Sequence, residues 1–242
     1  LRIGKAEAVL PRSEQVGNED LKDGDHVKVY VVDVKETERG PRAIISRTHP
    51  DLVKRLFETE VPEIYDGTVE IKAVSREAGS RTKLAVLSHN PDVDAVGACI
   101  GARGTRVSSI VSELGGEKID IVEYSEEPEK FIASALSPAD VLSVELSEDG
   151  SRSCRVTVPD GQLSLAIGNK GQNARLAARL TGWKIDIKPE SGFYGEDPAP
   201  AFKAQEPAPE ASSEKIEDAE EAASEESGNP EAATAPEVSS EE

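Results

Sequence analysis

Two tetrapeptides in this chain have the composition to grip an anion: Gly101-Ala102-Arg103-Gly104 and Gly168-Asn169-Lys170-Gly171. Glycine accepts positive φ and carries no side chain to keep a ligand away from the backbone. Each tetrapeptide falls between two segments with helical spacing of apolar residues, 95–100 and 106–114 for the first, 162–167 and 173–180 for the second. A helix that starts just after such a turn points free N–H groups and its positive dipole end outward, an arrangement that favours phosphate. A sugar–phosphate strand can then lie across the turn, clamped by main chain.

A single Gly-x-x-Gly is an ordinary turn, so the neighbourhood has to carry the case. Between Asp94 and Glu113 there is no carboxylate, and Arg103 and Arg106 fall inside that window. Between Asp160 and Asp186 there is again none, and Lys170, Arg175, Arg179 and Lys184 fall inside. The candidate contacts to a nucleic acid are therefore Gly101, Ala102, Arg103, Gly104 and Arg106, with Gly168, Asn169, Lys170, Gly171, Arg175 and Arg179. Ile100, Val107, Ile110, Val111 and Leu114, and likewise Leu163, Leu165, Ile167, Leu176 and Leu180, have helical spacing and are expected in the core. Ala98, Cys99, Ala166 and Ala174 are small enough to let bases approach the first helix of each pair. Trp183, the only tryptophan, opens a strand and is expected to pack on the helix above it.

The elements that must hold these turns repeat. A helix after Pro50 places Leu52, Val53, Leu56 and Phe57 on one stripe. Strands 68–74 and 82–87 follow, then the two helices around the first turn, then strand 118–122. The same order returns as helix 128–136, strands 141–146 and 154–158, the helices around the second turn, and strand 183–187. The first turn glycines lie 67 residues apart, and Lys-Ile-Asp-Ile recurs after 66. This is a tandem duplication of an α/β unit with the order helix–strand–strand–helix–helix–strand. About five residues (125–129) join the copies, too few for a flexible tether, so the pair is expected to move as one body.

Residues 1–48 read as β: an apolar run at 6–10, a Val- and Tyr-rich run at 25–34, a turn at 38–41 and a run at 43–46. Three short strands cannot close a barrel, which needs about five, so further strands are expected before Leu1. The start at Leu1, without Met, reads as a fragment or processed product. Residues 189–242 are rich in Glu, Ala, Ser and Pro, with no aromatic residue after Phe202, and are expected to be disordered. They hold 16 of the 47 carboxylates and 2 of the 28 basic residues, which leaves 26 basic against 31 acidic in residues 1–188. The net charge of −19 therefore hides a nearly balanced body. The tail is a solvated extension or, on a sharper reading, an RNA mimic that competes for the basic windows.

No apolar run reaches the roughly 18 residues needed to span a bilayer, and no basic stretch leads into an apolar run at the N-terminus, so neither a membrane nor a signal peptide is expected. Cys99 and Cys154 lack CxxC or Cys/His spacing, so no disulfide framework or zinc site follows and a reducing cytoplasm is expected. His26, His49 and His89 are scattered, and there is no Walker A, GxGxxG or HExxH motif. No enzyme activity and no cofactor is expected.

The pattern resembles the type II KH domain, and two of these after a β segment resemble the S1–KH–KH block of the bacterial NusA family. The strings that carry the likeness are SRTHP at 46–50, EVPEI at 60–64, GEKIDIV at 116–122, ALSPA at 135–139, QLSLAIG at 162–168 and GQNARLAA at 171–178. The resemblance implies an α+β fold: part of an S1 (OB-fold) barrel at 1–48, KH domains at 49–127 and 128–188, and a disordered acidic tail at 189–242. It implies a cytoplasmic bacterial transcription factor that binds single-stranded nascent RNA and regulates pausing, termination and antitermination. Its partners would be RNA polymerase, chiefly through an N-terminal domain outside this chain, and other elongation factors, with the protein a monomer. Two alternatives stay open: the KH/S1 region of an RNA-degrading enzyme such as polynucleotide phosphorylase, and a KH-based protein scaffold.

Overall fold

His49 starts the first repeat. Its Nδ1 accepts the Asp51 N–H (3.1 Å) ahead of helix α1 (Pro50–Glu60), and Pro50 takes the first helical position, where its missing N–H costs nothing. Leu52, Val53, Leu56 and Phe57 are buried, as their spacing predicts. A four-residue helix, α2 (Pro62–Tyr65), follows; it was not expected, although Pro62 marks its first position. The computed structural model describes residues 1–4, 6–37 and 40–192.

Before α1 lie a small ribbon of β1 (Arg2–Ile3) and β2 (Ala6–Glu7), and a hairpin of β3 (Tyr30–Thr37) and β4 (Gly40–Ser46). β3 starts five residues later than the run at 25–34 suggested. At Lys28 the backbone N–H goes to Glu113 Oε1 (3.0 Å) rather than to a strand, which delays the sheet. Val9 bridges Ile44, while Val31, Val32 and Val34 stay exposed. Among the described residues these strands form no closed barrel.

Strands β5 (Val69–Glu77), β6 (Arg81–Ser88) and β7 (Lys118–Glu123) form the first sheet, antiparallel between β5 and β6 and parallel between β6 and β7. A parallel pair needs a crossover. Helices α3 (Ala95–Ile100) and α4 (Thr105–Glu113) supply it, and the turn of interest joins them. The second repeat builds the same device: α5 (Pro128–Ala135), β8 (Ser143–Leu146) antiparallel to β9 (Ser153–Val158), then α6 (Leu163–Ile167), α7 (Gln172–Thr181), and β10 (Lys184–Pro189) parallel to β9. Even the strand entries correspond. Lys118 N–H donates to Ser80 O (3.1 Å) and Lys184 N–H to Arg152 O (2.8 Å). β10 runs on to Pro189, which is buried, so the second sheet claims the first residue of the expected tail. Residues 193–242 lie outside the described part.

Each repeat has its own core, and the two meet along an apolar seam. Ala85 of β6 and Val122 of β7 are buried among Ile132, Leu136, Val156 and Ala177 of the second repeat. Fully buried Lys83 on β6 crosses the same seam, donating to Ser137 O (2.7 Å) and Asp120 Oδ2 (3.1 Å). Only four residues, 124–127, separate β7 from α5.

The N-terminal segment is tied to the first repeat by buried arginines. Arg47 donates to both Glu19 oxygens, to Lys28 O (2.6 Å) and to Glu113 O (2.9 Å). Arg76 donates to Arg47 O (2.8 Å) and His49 O (2.9 Å) and forks onto Glu117. Burial works against charge on Glu117, but Arg76, Thr82 and the Gly79 N–H outweigh it and hold the carboxyl below its ordinary value of 4.5.

Candidate nucleic-acid interface

The two turns have one backbone shape. Gly101 has φ 74° and ψ 172°, Gly168 φ 76° and ψ 173°. The third residues, Arg103 and Lys170, both occupy the left-handed region, at φ 54° and 51°. Gly104 and Gly171 follow in the same region, at φ 76° and 74°. Only glycine takes the first of these conformations readily, and a basic side chain in the left-handed region costs about 1–2 kcal/mol. Both copies keep that strained cation, which throws its side chain outward. The segments 102–104 and 169–171 are single 3-10 turns that feed directly into α4 and α7, and no side chain caps the first turn of either helix.

The first position of each turn has no room for a methyl. A Cβ on Gly101 would come within 2.6 Å of Arg106 Cγ, and one on Gly168 within 2.8 Å of the Asn173 backbone N. At Gly104 the nearest atom would be 3.9 Å away, an ordinary contact, so only the positive φ resists a side chain there. Gly171 is buried, unlike Gly104.

The predicted cations separate into two groups. The Arg103 and Lys170 side chains are exposed and hold no ion pair among the described residues. Arg106 turns inward, donating to Ala98 O (2.6 Å) and pairing with Glu63 Oε2 of α2 (2.9 Å). Arg175 pairs with Glu77 Oε1 (3.0 Å) and donates to Lys170 O (3.0 Å); Arg179 lies 3.8 Å from the same carboxylate. Glu77, at the end of β5, also accepts from Gln172 (2.8 Å). The windows are thus free of acid along the chain but not in space: the fold brings Glu63 and Glu77 to them. Glu63, Glu77 and Asn173 were missed as site residues, although Glu63 sits in the EVPEI string and Asn173 in the GQNARLAA string that the sequence singled out.

The apolar expectations are corrected at two places. Ile100 and Leu165 are 38% and 47% exposed, not core. Each is the helical neighbour of a residue that is buried, Cys99 and Ala166 respectively. A step of about 100° swings it out of the buried stripe. Ile100 and Leu165 are exposed apolar side chains on α3 and α6, the helices that lead into the turns, and Ala98 on α3 is half-buried. Cys99 and Ala166 are fully buried and out of reach of any base. Trp183 packs against the second core, as expected. Burial pushes the Cys99 thiol up to about 12 and the Cys154 thiol up to about 11, which makes both poor nucleophiles. Among the described residues no group of three or more His, Cys, Asp or Glu could hold a metal ion, and no helix is long and apolar enough to cross a membrane.

Comparison with known proteins places the two repeats separately. Residues 47–124 match the NusA-like first KH domain and residues 128–194 the NusA-like second KH domain. A protein of Halalkalibacterium halodurans named transcription termination/antitermination protein NusA is 60% identical over 189 residues, covering 78% of this chain and 49% of its own length. Proteins of that name from Bacillus subtilis and Thermus thermophilus are 56% and 49% identical, covering 85% and 78% of this chain and 58% and 48% of their own lengths. The chain spans about half the length of the curated relatives it matches.

Proposed function

The chain belongs to the NusA family, and from that premise we propose that its two Gly-x-x-Gly turns clamp extended single-stranded RNA for a bacterial factor that regulates transcriptional pausing, termination and antitermination. The observation that carries the reading is the duplicated turn itself: one backbone shape, an uncapped helix start and an outward cation, twice over. Backbone N–H groups and the dipoles of α4 and α7 hold phosphates, and each unit engages about four nucleotides. Arg103 and Lys170 meet phosphate first. Arg175 and Arg179 join it only by exchanging Glu77 for the ligand, while Arg106 stays bound to Glu63 and Ala98 O. Ile100 and Leu165 offer apolar surface to the bases, so α3 and α6 set a modest sequence preference.

The relatives are named for termination and antitermination, not for RNA degradation, which favours this reading over a phosphorylase. RNA polymerase and other elongation factors are the proposed protein partners of the longer protein, with a cytoplasmic location and a monomeric state. The β3–β4 hairpin, with its exposed valines, fits part of an S1 barrel that further strands would cover.

The test is Gly104→Asp combined with Lys170→Ala. A Cβ on Gly104 would meet no atom closer than 3.9 Å, so its cost is the backbone strain of a positive φ, about 1–2 kcal/mol, and a urea midpoint checks that the variant is folded. Losing one clamp contact per turn costs about 1.4 kcal/mol each, or about tenfold, so RNA affinity should fall about a hundredfold if the sites act independently. Lys170→Ala alone should lower the slope of log K against log salt by about 0.7. Unchanged affinity in a folded double variant would defeat the clamp.

A further inference from the structure

Five residues after the first glycine of each turn stands a polar side chain that leans back against it: Arg106 in the first repeat, Asn173 in the second. Their chemistry differs, yet in space they do the same three things. Each occupies the volume a Cβ on the first glycine would need, at 2.6 Å for Arg106 Cγ and 2.8 Å for Asn173 Cβ. Each donates to a carbonyl near the end of the preceding helix, Arg106 to Ala98 O (2.6 Å) and Asn173 to Ala166 O (2.9 Å). Each also ties to the helical segment that opens its own repeat. Arg106 pairs with Glu63 of α2 (2.9 Å), and Asn173 donates to Leu136 O at the end of α5 (3.0 Å).

A guanidinium and a carboxamide share what this needs, two or more N–H donors on one rigid plane. Asn173 is 3% exposed and spends both bonds as donor, while its Oδ1 accepts none among the described residues. An idle buried acceptor is costly. The fold tolerates it to keep the donors where they are. In the first repeat the same task is done by a cation, whose charge Glu63 absorbs.

We propose that Arg106 and Asn173 are equivalent positioning residues, braces that hold each Gly-x-x-Gly turn in its left-handed form with the N–H groups facing out before any RNA arrives. The functional half of this rests on the RNA reading above; the structural half does not. The brace explains why the first glycine is obligatory in both turns, since the brace fills its side-chain space. It also separates Arg106 from Arg103: one shapes the turn, the other meets phosphate.

The experiment uses the full chain with Arg106→Met, which removes the donors at similar length, and Arg106→Lys, which restores one. Without RNA, amide exchange is followed at Gly104, whose N–H donates to Gly101 O (3.0 Å). The brace predicts at least tenfold faster exchange in Arg106→Met and recovery to within about threefold in Arg106→Lys, with β5 and β6 amides unchanged. With single-stranded RNA of about eight nucleotides, Arg106→Met should bind several-fold more weakly at an unchanged salt slope. A slope lowered by about 0.7 would make Arg106 a phosphate contact and overturn the proposal, as would unaltered Gly104 exchange. If the parent chain binds no RNA, the exchange arm still decides the brace while the RNA reading falls. Asn173→Ala is read the same way at the Gly171 N–H; where it melts the second repeat, the Arg106 series decides.

Discussion

Gly104 and Gly168 both have φ of 76° but stand in unlike surroundings, and one methyl group separates them. At Gly168 it would press on the Asn173 backbone N at 2.8 Å, in a region of φ and ψ that only glycine populates. At Gly104 it would meet nothing nearer than 3.9 Å, in a left-handed conformation other residues can adopt at a cost. We expect Gly168→Ala to destabilise by about 2–4 kcal/mol and Gly104→Ala by about 1–2 kcal/mol. Urea midpoints of the two variants check this, and equal losses would show that backbone strain alone, not crowding by the brace, sets the cost. The basic third residues carry strain of the second kind in the native protein, which places them where a side chain serves the ligand rather than the fold.

Hairpin β5–β6 does more than fill the first sheet. Its turn lends the Gly79 N–H to Glu117 (2.8 Å), its strands supply Arg76 and Thr82 to the same carboxylate, and its end supplies Glu77 to α7. The Glu117 carboxyl lies below its ordinary 4.5, so the unfolded chain holds the proton more tightly there. The stability this group contributes is complete above about pH 4.5 and is lost as pH falls through the native value. Asp120 acts in the same direction: burial opposes its charge, and Arg81 and Lys83 overcome that. Glu117→Gln should therefore be less stable at pH 7 and show a flatter fall in urea midpoint as pH drops below about 4.5. An unchanged pH profile would mean that other carboxylates carry the acid sensitivity.

Across the whole molecule the repeats should behave as one cooperative body. The first repeat has its own core around Phe57 and Leu84, but Ala85 and Val122 are buried in the core of the second, and the buried Lys83 bonds to Ser137 O across the same seam. Burial pulls the Lys83 ammonium below its ordinary value although Asp120 opposes the shift, so this seam is a place where charge is held at a cost. Trp183 fluorescence reports the second repeat, and thiol labelling of Cys99 in a Cys154→Ser background reports the first. The two midpoints should coincide in urea. Separate midpoints would make the repeats independent beads and weaken any single RNA path across both turns.

The duplication, the order of the main elements, both turns and the basic third residue of each were legible in the sequence, because each depends on local spacing: helical periodicity, glycine at a turn, a strand of β-branched residues. Helix α2 was not, being four residues long, and neither was the outward swing of Ile100 and Leu165, since a stripe read along the chain does not say which of its edges is covered. The pairing of Glu63 with Arg106 and of Glu77 with Arg175 was beyond reach for a different reason. These partners are 43 and 98 residues apart, and a charge balance taken along a window counts only neighbours in the chain. Local chemistry determined what the two turns are. Packing between elements decided which cations remain free to meet a ligand, because the folded sheet and helices carry distant carboxylates to the basic residues.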